Sequence, residues 1–327
     1  MKLLRFISYM LAWIGAALFA AWAFGALYFD FPSTRLFVAI LFLIALLAIA
    51  IFIRGNLLKI SIIFSACALV AGWWFTLKPS NDRAWQPDVD RTAWADIDDD
   101  VVTIHNVRNC DYRTQTDFTP HWETRTVRIS QITGIDLAIN YWGSPWIAHP
   151  IVSFQFSDAL PLCFSIETRK IIGQQYSTLE GFYRRYTLIY VVADERDVVR
   201  LRTNYRREDV YVYHTLASPA QARQRFREYI SALNSLHENP RWYNAVTSNC
   251  TTSIRTQRAA KLRARWDWRI LLNGKADEML YQDHAFITGG LSFAELKRRS
   301  LIDERARAAD QDPDFSRIIR EGLPQTD

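Results

Sequence analysis

Asn249-Cys250-Thr251-Thr252 sets a lone thiol between a Pro/Trp/Asn-containing loop and a segment that reads as a helix. Backbone N–H groups at a helix start favour negative charge, an environment that lowers a cysteine pKa from ~8.5 toward neutrality. A thiol so placed is expected to be a nucleophile.

The chain has 327 residues, half of them apolar, and the apolar residues are unevenly distributed. Leu3 to Tyr28, Leu36 to Ile53 and Ile60 to Leu77 are nearly uncharged runs, each close to the ~20 residues that cross a bilayer as a helix. Three transmembrane helices are expected, because a soluble helix normally keeps a polar face. Lys2 and Arg5 precede the first run, and Arg54 and Lys59 lie between the second and third, whereas the first loop holds only Arg35. Positive loops face the cytoplasm, so everything after Lys78 is expected outside a bacterial inner membrane. Reading the first run as a cleaved signal leaves that outcome unchanged.

Of four cysteines, Cys67 falls in the third span and Cys110, Cys163 and Cys250 in the exported part. A Cys110–Cys163 disulfide is conceivable, and at least one exported thiol stays free, which suggests reactivity. The net charge of +5 includes Arg-rich stretches through the outer domain and its tail. They suit an anionic lipid or cell-wall surface, and no nucleic-acid motif is found.

Residues 79–100 read as a linker, 101–310 as the folded domain and 311–327 as a charged, flexible tail. Val101–Ile104, Thr124–Ile132, Ile147–Phe156, Leu160–Ile166, Thr187–Val192 and Asp209–Tyr213 are rich in Val, Ile, Phe and Tyr between turn residues, and predict strands. Ser218-Pro219 caps a helix whose Ala222, Phe226, Tyr229, Ile230 and Leu233 recur at helical spacing. A second helix is predicted from Asn249 or Cys250 toward Arg263, and a last one from Phe293 to about Arg307. Strands followed by helices indicate an α+β domain.

A cysteine nucleophile needs a base, and imidazole has a suitable pKa. His149 is the first candidate among six histidines, since it opens an apolar strand after the Trp142-Gly143-Ser144-Pro145-Trp146 loop. His105 at another strand end is the second. Ser165 and Glu167 share one side of an extended chain, so either is a candidate to orient His149. Oxyanion donors are sought in the Cys250 and Thr251 N–H groups, the Asn249 amide and the Tyr243 hydroxyl. Zinc chemistry finds no C-x-x-C or H-E-x-x-H, phosphate chemistry finds no glycine-rich loop, and no cofactor is called for. The charged runs Asp194-Glu195-Arg196-Asp197, Arg200-Leu201-Arg202-Thr203-Asn204 and Arg206-Arg207-Glu208-Asp209 read as ion-paired edges, with anionic-headgroup recognition as the functional alternative.

Trp242-Tyr243-Asn244-Ala245 before Asn249-Cys250-Thr251-Thr252, with Ala193-Asp194-Glu195-Arg196-Asp197 and Phe164-Ser165-Ile166-Glu167-Thr168-Arg169, resembles the Lnb N-terminal periplasmic domain family over roughly Val101 to Gln257. The resemblance implies a permuted papain-like (NlpC-type) domain, here preceded by three transmembrane helices, in which a strand histidine precedes the nucleophile. His149 and Cys250 stand in that order. It further implies acyl transfer on a lipoprotein, with Cys250 carrying the acyl group as a thioester. In the family's namesake the membrane helices follow the catalytic domain, whereas here three precede it. The expected activity is therefore a membrane-anchored thiol acyltransferase or hydrolase acting on a membrane lipid or lipoprotein. A peptidoglycan peptide hydrolase and a non-catalytic envelope module are the alternatives.

Overall fold

The structure, a computed structural model, describes residues 2–258, 263 and 266–325. The chain divides into two compact units. One comprises residues 1–80, 175–187 and 241–245, and the other holds most of the remainder of the chain.

In the first unit, α1 (Lys2–Asp30), α2 (Arg35–Phe52) and α3 (Asn56–Thr76) are long and apolar enough to cross a membrane. Their outward faces carry Leu, Ile and Phe side chains such as Leu41, Ile44 and Leu69, as suits a lipid solvent. Inward, small Ala16 and Ala23 let the helices approach around Leu46, Ile63 and Cys67. Loop residues complete the unit. Asp30 accepts from the Trp74 indole at 2.7 Å and from the Arg184 N–H at 3.0 Å, and the Arg184 guanidinium lies 4.1 Å from the Trp74 ring centre.

The second unit is built on a mixed sheet. Its strands are β1 (Trp94–Asp98), β2 (Val101–Arg108), β5 (Trp122–Arg128), β6 (Ile132–Tyr141), β7 (Ala148–Phe156), β8 (Leu162–Arg169), β9 (Thr187–Asp194) and β10 (Asp209–His214). The order is β1-β2-β9-β8-β7-β6-β10, with β5 also on β2, and β3 (Asp111–Tyr112) and β4 (Phe118–Thr119) pair separately. The β2–β9 contact is parallel and β6–β7, β7–β8 and β6–β10 are antiparallel. Helices α4 (Glu195–Arg200), α5 (Pro219–Glu238), α6 (Cys250–Thr256), α7 (Ala276–Gln282), α8 (Phe293–Ser300), α9 (Asp303–Ala308) and α10 (Phe315–Ile318) follow. Strands thus come mainly first and helices later, as an α+β domain requires. Ser218 and Gln221 form a reciprocal capping box at the start of α5, whose Phe226 and Tyr229 pack edge-on against Phe154 and Phe164 of the sheet.

Four expectations are corrected. The segment 79–100 is not a free linker: Trp85, Val89, Ala93 and Ala95 are buried, and residues 94–98 form the edge strand β1. The tail is not loose as far as residue 325, because Phe315, Ile319 and Leu323 enter the core and Arg320 pairs with Asp136 and Glu195. The last helix breaks at Leu301-Ile302, where Leu301 bridges to Tyr211 and the Ile302 N–H donates to the Val210 carbonyl. Cys110 and Cys163 are both free thiols, in separate clusters of the core. The continuation of the Cys250 helix toward Arg263 runs into residues 259–262, outside the described residues.

Candidate functional site

The site begins with strand register. Ile151 on β7 lies opposite Ser165 on β8, and Ser153 opposite Cys163; the same register carried two residues on sets His149 across from Glu167. With a side-chain period of two, His149, Ser165 and Glu167 share one face. His149 Nε2 lies 2.7 Å from Ser165 Oγ, and Ser165 Oγ donates to Glu167 Oε1 at 2.7 Å.

Counting protons fixes the tautomer. Glu167 also accepts from Arg202 Nη2 at 2.9 Å. Burial alone would raise the Glu167 carboxyl, but the Arg202 and Arg108 guanidiniums hold it well below the usual carboxylate range, so it only accepts. Ser165 has one hydroxyl proton, directed to Glu167, and therefore receives the Nε2–H of His149. The lone pair is left on Nδ1, and a neutral imidazole with a fixed lone pair is a base. Burial first, then the Arg202 charge, push the His149 pKa down to about 3, against the opposing pull of Glu167.

Cys250 is the first residue of α6, which packs on β7 and β8. Asn249 caps that helix, its side-chain oxygen accepting from the Thr252 N–H at 2.9 Å while its own N–H donates to Thr252 Oγ1. The Asn249 oxygen is therefore committed to the cap. Asn273 ties the thiol to the base strand: its Oδ1 accepts from the Ala148 N–H at 2.9 Å, and its Nδ2 lies 3.2 Å from Thr251 Oγ1 and 3.5 Å from Cys250 Sγ. Gly274 makes this close approach feasible, because a Cβ there would collide with the backbone of Pro145 to Ile147.

The thiol itself departs from expectation. Cys250 is 7% exposed, and burial raises its pKa despite hydrogen bonds from Thr251, its own N–H and Asn273. The helix start does not outweigh desolvation. Thiol and imidazole are thus both neutral at rest, and among the described residues no hydrogen bond joins them. Cys110, pushed up to about 12 by burial, and the fully buried Cys163 are poorer nucleophiles.

The structure brings Cys250, Thr251, His149, Ser165 and Glu167 into one neighbourhood and puts His105 elsewhere: its Nε2 pairs with Asp96 at 3.1 Å and its ring stacks on Trp94. Tyr243 lies in the unit of the membrane helices, where its N–H donates to the Tyr186 carbonyl. Two site residues escaped sequence reading. Arg202, 4% exposed on a π-helical turn (Leu201–Tyr205), bonds Asn140 and Glu167, and the only hint was an alternating charge run. Asn273 offered no motif at all.

The family model for the Lnb N-terminal periplasmic domain matches residues 118–274, a span that includes His149, Ser165, Glu167, Arg202, Cys250 and Asn273. No curated protein and no solved structure matches the chain. Three helices long and apolar enough to cross a membrane, followed by this domain, make a membrane protein with a periplasmic domain. Over residues 118–274, somewhat under half of its length, the chain is similar to the Lnb N-terminal periplasmic domain family.

Proposed function

We propose that the protein is an inner-membrane, multi-pass thiol acyltransferase or hydrolase with a papain-like site, in which Cys250 attacks a lipid or lipoprotein ester or amide. The observation that carries this reading is the His149–Ser165–Glu167 chain, which leaves the imidazole lone pair on Nδ1 of a strand against which the Cys250 helix packs. As Sγ bonds to the acyl carbonyl carbon, its proton passes to Nδ1. On collapse the C–O or C–N bond breaks, and the imidazolium returns the proton to the leaving alkoxide or amine. A thioester remains on Cys250 until an acceptor amine or water, deprotonated by the same nitrogen, releases it. The Thr251 and Cys250 N–H groups, which already hydrogen-bond the thiol, are suited to the developing oxyanion.

An apolar substrate is favoured by the rim. Trp142, Trp146 and Ile147 on one loop, and Trp268, Leu271 and Leu272 just before Asn273, are exposed. The two loops touch through the Gly274 N–H and the Trp146 carbonyl at 3.0 Å, and the rim suits an acyl chain better than a polar peptide.

The test is an activated lipid ester with the full chain in detergent. Wild type is expected to gain one acyl group, mapped to Cys250 by mass spectrometry, and Cys250→Ala to gain none while melting as wild type does. Label persisting in Cys250→Ala overturns the proposal. Release of soluble muropeptides without acylation would instead identify a peptidoglycan hydrolase, and inertness toward both substrates an envelope binding module.

A further inference from the structure

Among the described residues, the motif Asp194-Glu195-Arg196-Asp197 sorts into three paired acids and one base without an ion-pair partner. Asp194 accepts from Arg125 at 2.6 Å, Glu195 from Arg320 at 2.8 Å and Asp197 from Arg108 at 2.7 Å; the three acids are 3%, 1% and 0% exposed. Arg196 has none of this. Among the described residues its guanidinium makes no hydrogen bond or ion pair, and its Nε is buried.

Arg196 lines a cavity of about 710 Å³ together with Asn109, His121, Trp122, Arg125 and Arg200, a size typical of sites for small organic ligands. A guanidinium that lines a cavity without a hydrogen-bond partner among the described residues is matched by an oxyanion, whose geometry the planar fork complements. The surrounding acids limit the ligand's charge. Glu123 and Asp194 share Arg125, and Arg200 is paired with Asp310, so Arg196 only balances the second carboxylate on Arg125; with exposed Asp111 also in the lining, the wall has no surplus positive charge and limits a ligand to a single oxyanion placed on the Arg196 fork. Trp122 and Leu160 supply apolar surface for the rest of the molecule, and Asn109 and Gln311 supply polar contacts.

We infer that this cavity is a second binding site, separate from Cys250, for a small organic molecule bearing a single oxyanion, a phosphodiester or a carboxylate, held by Arg196. The site holds whether or not Cys250 is a nucleophile.

Calorimetric titration of the full chain in neutral detergent tests it with three probes: glycerophosphoglycerol (a phosphodiester monoanion), N-acetylalanine (a carboxylate) and the uncharged N-acetylalanine methyl ester. At least one anion is expected to bind saturably, and the ester at least about tenfold more weakly than that anion. Arg196→Gln should weaken the anion roughly ten- to hundredfold with little change in melting temperature, since among the described residues its guanidinium makes no hydrogen bond or ion pair, while Cys250→Ala should bind as wild type. Equal binding of anion and ester, no binding of either anion, or undiminished binding by Arg196→Gln would overturn the inference. If glycerophosphoglycerol binds, repeating the titration in phosphatidylglycerol nanodiscs distinguishes its source: competition identifies a lipid headgroup, and undiminished binding a free phosphodiester. Either result upholds the site.

Discussion

Glu167→Gln removes one charge from the proposed site and little else. The amide oxygen can still accept from Arg202 and Ser165, so the direction of the Ser165 proton and the His149 tautomer survive. What is lost is the anion that stabilises the imidazolium formed when Cys250 attacks. Glu167 stands two hydrogen bonds of 2.7 Å each from the His149 ring. At a separation of ~5 Å and an effective dielectric of ~20, a unit charge is worth about 3 kcal/mol, or roughly a hundredfold in rate. Single-turnover release of nitrophenol from a nitrophenyl acyl ester by the full chain in detergent measures that step. The acylation rate is expected to fall by about two orders of magnitude with KM nearly unchanged, since the interaction exists mainly in the transition state. Arg202→Gln in the same chain should recover part of the loss, because Arg202 then no longer stands uncompensated beside the imidazolium. A wild-type acylation rate in Glu167→Gln, with His149→Ala inactive, would refute the charge argument and leave Ser165 as a purely geometric support.

Asn273→Asp keeps the acceptor for the Ala148 N–H but sets a carboxylate near the thiol, 3.5 Å from Sγ in the Asn273 geometry. The pH midpoint for iodoacetamide alkylation of Cys250 should rise by one unit or more, and an unchanged midpoint would show that Asn273 does not sense the thiol. The acid limb of kcat/KM should lie far below the ordinary histidine value of ~6.5, because His149 is held down to about 3. Stability changes in the same direction: a histidine kept neutral in the fold but free to charge when unfolded costs nothing above ~6.5, and the fold loses stability as pH falls from there toward the folded value of about 3. An acid limb near neutrality would mean that the site opens to water before it reacts. Asp197→Ala strands the Arg108 guanidinium, 1% exposed, and frees the Cys110 N–H; a loss of roughly 3–5 kcal/mol is expected in denaturant unfolding of the domain, and a loss under 1 kcal/mol would show that water enters.

Sequence reading succeeded where a residue's role depends on its neighbours along the chain. The three long apolar helices, six strands, the Ser218 cap and the Asn249-Cys250 helix start all rest on local periodicity or capping. It failed where the role depends on a distant partner. β6 went unread because Asp136 and Asn140 interrupt its apolar pattern; both are buried, 3% and 1% exposed, and are satisfied by Arg320 and His214 and by Arg202 and Glu208 respectively. The same limit explains the error over Cys250. A helix-start thiol looks acidic when only its own turn is considered, since that turn offers donors. Folding adds β7 and β8 beneath it and the Asn273 segment beside it, and the desolvation they impose outweighs those donors. The helix start therefore positions the sulfur without ionising it. A neutral thiol needs its proton removed during attack, which makes the His149 lone pair, and the Ser165–Glu167 chain that fixes it, the decisive feature of the proposed chemistry.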